Sequence, residues 1–160
     1  MKLISLEVDI ANQIMQVLHD GKLIKKYLIS TAKNGAGEEY GSEKTPRGWH
    51  VIRAKIGSDA LPNTVFVKRR PTHEMYNSEL RLQFPERDWM LTRILWLCGL
   101  EVGKNRFGNV DSMKRKIYIH GAPDDVQMGM PGSRGCIRMR NIDIIELFDE
   151  VKAGTKVLIK

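Results

Sequence analysis

A histidine and a cysteine lie in two neighbouring motifs of the sequence, His120 in IYIHG and Cys136 in PGSRGCIRM. A thiol is a useful nucleophile only as its thiolate, and an adjacent imidazole can take its proton. The segment between the two residues is rich in Gly and Pro, so it can fold back and bring the side chains together. The spacing permits a cysteine–histidine pair for acyl transfer. The alternative is chance, because the chain has two cysteines and four histidines.

Backbone amides beside the thiol are the next candidates for chemistry. Glycine at position 135 lets the backbone come close to a substrate, because it has no side chain. The consecutive amides of Gly135 and Cys136 are therefore candidate oxyanion-hole donors, each worth on the order of 3 kcal/mol in acyl-transfer enzymes. Tyr118 lies two residues before His120, so in a strand the two side chains share a face. Tyr118 either lines the site or belongs to the core.

The elements that must position these residues are mostly strands. KLISLEVD alternates, and two β-rich runs flank Asp20-Gly21, which is a strong hairpin signal, so we expect an opening meander. KIYIH predicts a short strand ending at His120, and TKVLIK a closing strand. The run RDWMLTRILWLCGLE fits a helix or a buried strand, because short apolar runs do not settle the period.

One helix is predicted with a clear pattern. In NIDIIELFDEV the apolar residues Ile144, Ile145, Phe148 and Val151 recur at helical spacing. Asn141 precedes an acidic first turn, which is typical of an N-cap. We therefore expect a single, mostly β domain over residues 1–160, with one helix in its C-terminal region.

Composition limits the partners. The 26 Lys and Arg outnumber the 19 Asp and Glu, and the formal charge of +7 favours an anionic partner. The short basic runs carry no nucleic-acid-binding motif, so we expect no nucleic-acid partner. No tight ligand spacing predicts a metal site. The longest apolar run is broken by Arg93, well short of the roughly 20 residues of a membrane span, so no span is expected. We interpret Cys98 as a buried small residue.

Three segments, TPRGWH, IYIHG and SRGCIRM, together with the helix and strand that follow them, resemble the YkuD-type L,D-transpeptidase catalytic domain. In that family a His-Gly pair precedes Ser or Thr, any residue, Gly, Cys, an aliphatic residue and Arg. The residues that match here are His120, Gly121, Ser133, Gly135, Cys136, Ile137 and Arg138. Many members carry histidine where this chain has Arg134, which leaves the His120–Cys136 pair unaffected. The resemblance covers nearly the whole chain.

The resemblance implies a β-sandwich-like fold with the catalytic residues at the floor of a groove. It implies that Cys136 attacks a peptidoglycan tetrapeptide stem before the terminal D-alanine, with His120 as base and the carbonyl of Gly121 orienting the ring. Arg138 first, and Arg134 second, would bind the carboxylates of the stem, since guanidinium groups pair with carboxylates. Ser133 and Arg138 would shape the loop, and Ser133 is also placed among the substrate-binding residues. The resemblance implies no cofactor. It does imply slow acylation by carbapenems.

The acceptor of the acyl group is left open by the motifs. Water would make the enzyme an L,D-carboxypeptidase, and an amine would make it a transpeptidase that forms 3-3 cross-links or exchanges the terminal D-amino acid. The N-terminus has no apolar signal region, so we expect a cytoplasmic enzyme of peptidoglycan recycling, hence a carboxypeptidase. An upstream signal would instead place it in the periplasm or cell envelope. A non-catalytic cell-wall or nucleic-acid binding module is the further alternative. Oligomeric state is not predicted.

Overall fold

The architecture is mostly β, as the sequence predicts. The computed structural model describes residues 3–160. Within that range the chain forms ten strands: β1 (Ile4–Asp9), β2 (Ile14–His19), β3 (Lys22–Leu28), β4 (Gly48–Ile56), β5 (Thr64–Val67), β6 (Arg70–Met75), β7 (Met90–Gly99), β8 (Tyr118–Ala122), β9 (Ile137–Arg140) and β10 (Lys156–Ile159). Two α-helices, α1 (Ser78–Gln83) and α2 (Asn141–Glu150), and a 3-10 turn at Gly108–Val110 complete it. The short helix α1 has no counterpart in the sequence-based prediction.

All ten described strands belong to one hydrogen-bonded sheet, which is curled. Its order is β3-β2-β1-β10-β4-β7-β5-β6, and β7 also pairs with β8, which pairs with β9. Two of these pairings are parallel, β1 with β10 and β8 with β9. The curl gives the predicted sandwich-like form without a second, separate sheet.

The opening meander has the predicted hairpin. Asp20 and Gly21 both adopt positive φ, at 50° and 81°. Two successive residues in that region make the tight turn that matches the twist of paired strands, and Asp-Gly is favoured there. The turn joins β2 to β3, and β2 also pairs with β1.

The ambiguous run in the middle of the chain is a strand. β7 pairs along its length with β4, β5 and β8, which makes it the most extensively paired element of the sheet. Seven of its ten residues are buried, because both faces are covered. That explains the nearly continuous apolar run, which an isolated sequence window cannot assign to a strand or a helix.

Helix α2 covers the main core with Ile144, Leu147 and Phe148, all of them buried. Its N-cap is Arg140 rather than the predicted Asn141. Asn141 is the first helical residue, and its side chain bonds to groups outside the helix, so the N-cap prediction is wrong by one residue. Neither helix within residues 3–160 is long and apolar enough to cross a membrane.

A lysine from the sheet caps the other end of this helix. The ammonium group of Lys55 donates to the carbonyl oxygens of Phe148 and Val151 at 2.6 and 2.7 Å. It also lies 4.3 Å from the centre of the Phe148 ring. Carbonyls at a helix C-terminus have no partner within the helix and carry partial negative charge, so a cation there stabilises the end.

We expect Lys55→Met to lower the free energy of unfolding by about 1 to 3 kcal/mol, because it removes charge-assisted hydrogen bonds and leaves the carbonyls unpaired. Urea denaturation followed by circular dichroism measures the change. Lys156→Met, at an exposed position of β10, is the matched control and should shift the midpoint little. Equal midpoints for the two variants would contradict the capping role.

Candidate active site

The β8–β9 ladder brings the two candidate catalytic residues to one face of the sheet. Ile119 pairs with Ile137, and His120 pairs with Arg138, in parallel register. Residues that alternate along a strand point to opposite faces. Ile119 and Ile137 enter the main core, whereas Tyr118 and Cys136 belong to a second buried cluster on the other face. His120, two residues after Tyr118, therefore shares the face of Cys136, as its predicted role requires.

His120 is held in one tautomer. Its Nδ1 lies 2.6 Å from the carbonyl oxygen of Gly121, and a carbonyl can only accept, so Nδ1 carries the proton. The other nitrogen, Nε2, is buried and has no hydrogen-bond partner among residues 3–160. A neutral imidazole with a free Nε2 lone pair is the form that a general base requires.

Burial lowers the pKa of His120. The charge of Arg138 lowers the pKa further, while the charge of Asp88 and the hydrogen bond to Gly121 oppose the change. The side chain is only 1% exposed, so water cannot stabilise an imidazolium there. At neutral pH the ring is therefore an unprotonated base in the unliganded protein.

Cys136 is a buried thiol. Its Sγ accepts a hydrogen bond from the backbone amide of Tyr118 at 3.3 Å and donates one to the carbonyl oxygen of Lys116 at 3.4 Å. Burial raises the pKa of the thiol to about 12, although the Tyr118 amide and the charges of Arg115 and Arg138 favour the thiolate. The resting pair is thus a neutral thiol and a neutral imidazole. Thiolate forms only when its proton moves to a base.

The loop that carries the thiol is fixed by two hydroxyl groups. Ser133 Oγ donates to the carbonyl oxygen of Cys136 at 2.6 Å and accepts the Gly135 amide at 3.2 Å. Thr45 Oγ1 donates to the Gly135 carbonyl at 2.9 Å and accepts the amide of Ala32. Ser133 therefore fixes the loop, and its buried hydroxyl is occupied within the protein, which corrects the substrate-binding role predicted for it. Gly135 has φ of 135°, a conformation that favours glycine.

This arrangement corrects the oxyanion-hole prediction. The Gly135 amide is already used by Ser133, so it is not free to meet a developing oxyanion. The Cys136 amide donates to no protein acceptor within residues 3–160. Of the predicted pair of donors, only Cys136 retains a free amide.

The substrate-binding role predicted for Tyr118 is also corrected. Its side chain is 2% exposed, its ring meets Trp96 edge-on, and its hydroxyl accepts a hydrogen bond from Arg69 at 2.9 Å. The tyrosine is a core residue beneath the site, the second of the two readings of its sequence position. Its contribution to the thiol is its backbone amide.

The two predicted arginines lie differently. Arg138 is half-buried beside the pair and donates to Ser30 Oγ at 2.9 Å, while its Nε is buried without a partner in the described chain. Arg134 is exposed and donates to the carbonyl oxygen of Glu86 at 3.3 Å. Arg138 thus acts on the charges of the pair, and Arg134 is the one that solvent and ligands reach.

A cationic cavity of about 240 Å³ lies beside the segment that leads into β8. It includes Lys116, whose carbonyl contacts Cys136 Sγ, and Arg134, which lies two residues before the cysteine. The full lining is Tyr40, Gly41, Glu43, Lys114, Arg115, Lys116, Ile117 and Arg134. Four basic residues against one acid make this cavity suited to a carboxylate ligand.

Three residues of the site were not singled out from the sequence. Arg115 and Asp88 act on the pKa of Cys136 through their charges, and Lys116 contacts the thiol through its carbonyl. Arg115 is held by the carbonyl oxygens of Gly37, Glu38 and Lys44. No local motif marks these residues, because they reach the site from two separate loops, one with Asp88 and one with Arg115 and Lys116. Within residues 3–160, no group of His, Cys, Asp and Glu side chains could hold a metal ion.

Comparisons with known proteins give a family match and several relatives. Residues 4–159 match the family model of the YkuD L,D-transpeptidase catalytic domain. The chain is 51% identical over 45 residues to the Escherichia coli protein ErfK/SrfK, covering 28% of this chain and 14% of the relative. It is 45% identical over 49 residues to YkuD of Bacillus subtilis, covering 30% of each protein. The matched segments thus span less than a third of these relatives' length.

Solved structures share the fold. An L,D-transpeptidase from Mycobacterium smegmatis superposes with a TM-score of 0.59 at 18% identity, covering 99% of this chain and 59% of the other. L,D-transpeptidase 3 from Mycobacterium tuberculosis, in complex with a faropenem-derived adduct, gives a TM-score of 0.60 at 16% identity and covers 99% and 60%. The family match extends over nearly the whole sequence and includes the strands and loop that hold His120 and Cys136. The chain therefore belongs to the YkuD family of L,D-transpeptidase catalytic domains.

Proposed function

We propose that this protein is an L,D-carboxypeptidase that removes the terminal D-alanine from peptidoglycan tetrapeptide stems. The observation that carries the proposal is the buried pair of Cys136 and His120, with Nδ1 bound to a carbonyl and Nε2 free. Family membership supplies the substrate class. The cationic cavity that includes Lys116 and Arg134 supports it, because a tetrapeptide stem carries several carboxylates.

The first half of the reaction forms a thioester. The bound stem brings its L,D-amide to the thiol, and His120 Nε2 takes the proton as the sulfur attacks the carbonyl carbon. The free Cys136 amide donates to the oxyanion. As the tetrahedral intermediate collapses, the C–N bond breaks and the imidazolium returns its proton to the departing amine of D-alanine. The acyl group remains on Cys136.

The second half regenerates the thiol. Water attacks the thioester carbon while His120 Nε2 takes one of its protons. Collapse breaks the C–S bond, the proton passes to the sulfur, and the tripeptide leaves with a new carboxylate. The hydrogen bond to Gly121 keeps the same tautomer ready for both halves.

Water is the favoured acceptor because the site is enclosed. His120 is 1% and Cys136 9% exposed. A second stem peptide requires a further open channel to the thioester, whereas water requires none. Transpeptidation is the second candidate, favoured by family membership. It would form 3-3 cross-links or exchange the terminal D-amino acid.

The proposed compartment is the cytoplasm, where soluble stems are recycled. Fractionation of cells that express the native gene with a C-terminal tag tests the proposal. Recovery in the periplasmic or envelope fraction would replace it with a wall-modifying role.

The products of a soluble disaccharide-tetrapeptide separate the two activities. We expect the wild type to give tripeptide and D-alanine, even with excess D-methionine, and Cys136→Ala to give neither. Mass spectrometry identifies the products. Cross-linked dimers or a D-methionine-terminated tetrapeptide would show a transpeptidase instead.

A carbapenem gives an independent control for the thiol. Intact-mass analysis should show an adduct on the wild type and none on Cys136→Ala. If the adduct forms but no stem peptide is cleaved, Cys136 would remain assigned as the nucleophile and the proposed substrate would be rejected.

The pH dependence follows from the buried base. Because burial lowers the pKa of His120, the neutral ring persists below its ordinary pKa of about 6.5. We expect the acidic limb of kcat/KM to lie below about pH 6.5, since activity falls only when the ring becomes protonated. Initial rates from about pH 4.5 to about pH 8 measure it.

The substrate's own carboxylates also titrate at acidic pH, so a second probe is needed. Iodoacetamide has no carboxylate, so the rate at which it alkylates Cys136 depends on pH only through the protein. If this rate shows the same acidic limb as kcat/KM, the limb belongs to the protein. Peptide mapping separates this reaction from that of Cys98. A limb at or above the ordinary histidine value would contradict the buried, uncharged resting state.

The cationic cavity should recognise a carboxylate of the stem. We expect Arg134→Gln and Lys116→Gln to raise KM for the tetrapeptide about tenfold each, the worth of one charge-assisted hydrogen bond. KM for a stem with its terminal carboxylate amidated should change less. Lys152→Gln, an exposed position in the turn before β10, is the control. Equal effects on acid and amide would assign the cavity to another part of the stem.

A further inference from the structure

A strained residue lies in β7 beside the catalytic histidine. Thr92 has φ of 76°, although a β-branched side chain is a genuine outlier in that region. The register of β7 against β8 shifts between Leu91 and Ile94, which pair with Gly121 and His120. The strain therefore lies in a bulge opposite the residues that form the carbonyl–imidazole contact. Bulges redirect side chains and are frequent next to active sites.

The bulge turns the Thr92 side chain into a buried polar network. Its hydroxyl donates to Asn141 Oδ1 at 2.6 Å and accepts the amide of Asn63 at 3.0 Å. Asn141 Nδ2 donates in turn to Asn63 Oδ1 at 2.9 Å and to Asp124 Oδ1 at 3.3 Å. Thr92 is fully buried and Asn141 is 5% exposed. Each hydroxyl and amide is thus fixed in orientation by its partners.

This network packs against Gly121. A Cβ placed on Gly121 would lie 2.5 Å from Asn141 Oδ1 and 2.6 Å from the carbonyl oxygen of Leu91. It would also lie 3.1 Å from the Cβ of Thr92. The Cα of Gly121 is therefore packed directly against Asn141 and the bulge, while its carbonyl oxygen holds His120 Nδ1. A shift of this backbone moves the acceptor that sets the tautomer.

We infer that Thr92 and Asn141 are positioning residues that fix the Gly121 carbonyl and thereby keep the His120 proton on Nδ1. The inference deepens the proposed function, because it rests on Nε2 being the base. If the carbonyl moves away, the proton can occupy Nε2, and the ring can no longer accept the proton of Cys136. Neither residue touches the thiol.

The test compares two substitutions at one position. Thr92→Val keeps the branched shape and removes the hydroxyl, whereas Thr92→Ser keeps the hydroxyl. Nitrogen-15 NMR of labelled histidine reports which ring nitrogen of His120 carries the proton. We expect one fixed Nδ1–H form in the wild type and in Thr92→Ser, and a mixture of tautomers in Thr92→Val.

Kinetics give the second readout. Misplacing a catalytic group by about 1 Å can cost about a hundredfold in rate, so kcat of Thr92→Val should fall between tenfold and about a hundredfold. KM should stay within about twofold, because no substrate contact is lost. Asn141→Leu should behave as Thr92→Val does. Thr155→Val, in the turn before β10, is the matched control for losing a threonine hydroxyl and should leave both readouts unchanged.

The outcomes separate this inference from the proposed function. Thr92→Val with lowered stability but an unchanged His120 spectrum and kcat would overturn it, and would make the network purely structural. The wild type could instead fail to cleave stems while its His120 keeps a fixed Nδ1–H tautomer that is lost in Thr92→Val and kept in Thr92→Ser. That result would reject the proposed substrate and retain the positioning role. If Thr92→Val does not fold, Asn141→Leu decides between the same outcomes.

Discussion

The parallel pairing of β8 with β9 is the constraint on which the site depends. Its register sets His120 opposite Arg138 and places Cys136 one residue before the ladder begins. A slip of one residue would send the thiol into the main core, because strand side chains alternate between faces. Ile119 and Ile137 point into the main core, and the same slip would move their side chains to the other face of the sheet. Their burial in the core therefore opposes the slip. Packing in the core therefore fixes the geometry of the chemistry.

Burial then decides the resting state of the pair. In a low-dielectric site the neutral thiol and neutral imidazole are both favoured over their ions. The nearby charges differ in sign, with Arg138 and Arg115 favouring thiolate and Asp88 favouring imidazolium. Forming the thiolate and imidazolium is therefore costly in the resting protein. When the proton moves from Cys136 to His120, these charged groups are already in place to stabilise the two ions. This arrangement protects the nucleophile from adventitious oxidation, because the thiol is far less reactive than the thiolate.

Much of the fold could be predicted from the sequence, because it depends on local patterns. Alternation and the Asp20-Gly21 turn predict the meander, and apolar spacing predicts α2. The motif around Cys136 predicts which residues meet, but not which amide is free, because the bond from Gly135 to Ser133 depends on exact loop conformation. Residues such as Asp88, Arg115 and Thr92 reach the site through tertiary packing. No window of sequence contains that information.

The pairing of β1 with β10 has a consequence for how the chain folds. Leu6 lies opposite Val157, so strands from the two ends of the described chain are neighbours in the middle of the sheet. Among the named strands of residues 3–160, the opening meander pairs with the rest of the sheet through β10 alone. Until β10 is in place, β1 therefore has one edge unpaired. Such long-range closure slows folding, because segments far apart in the sequence must meet before the sheet is continuous.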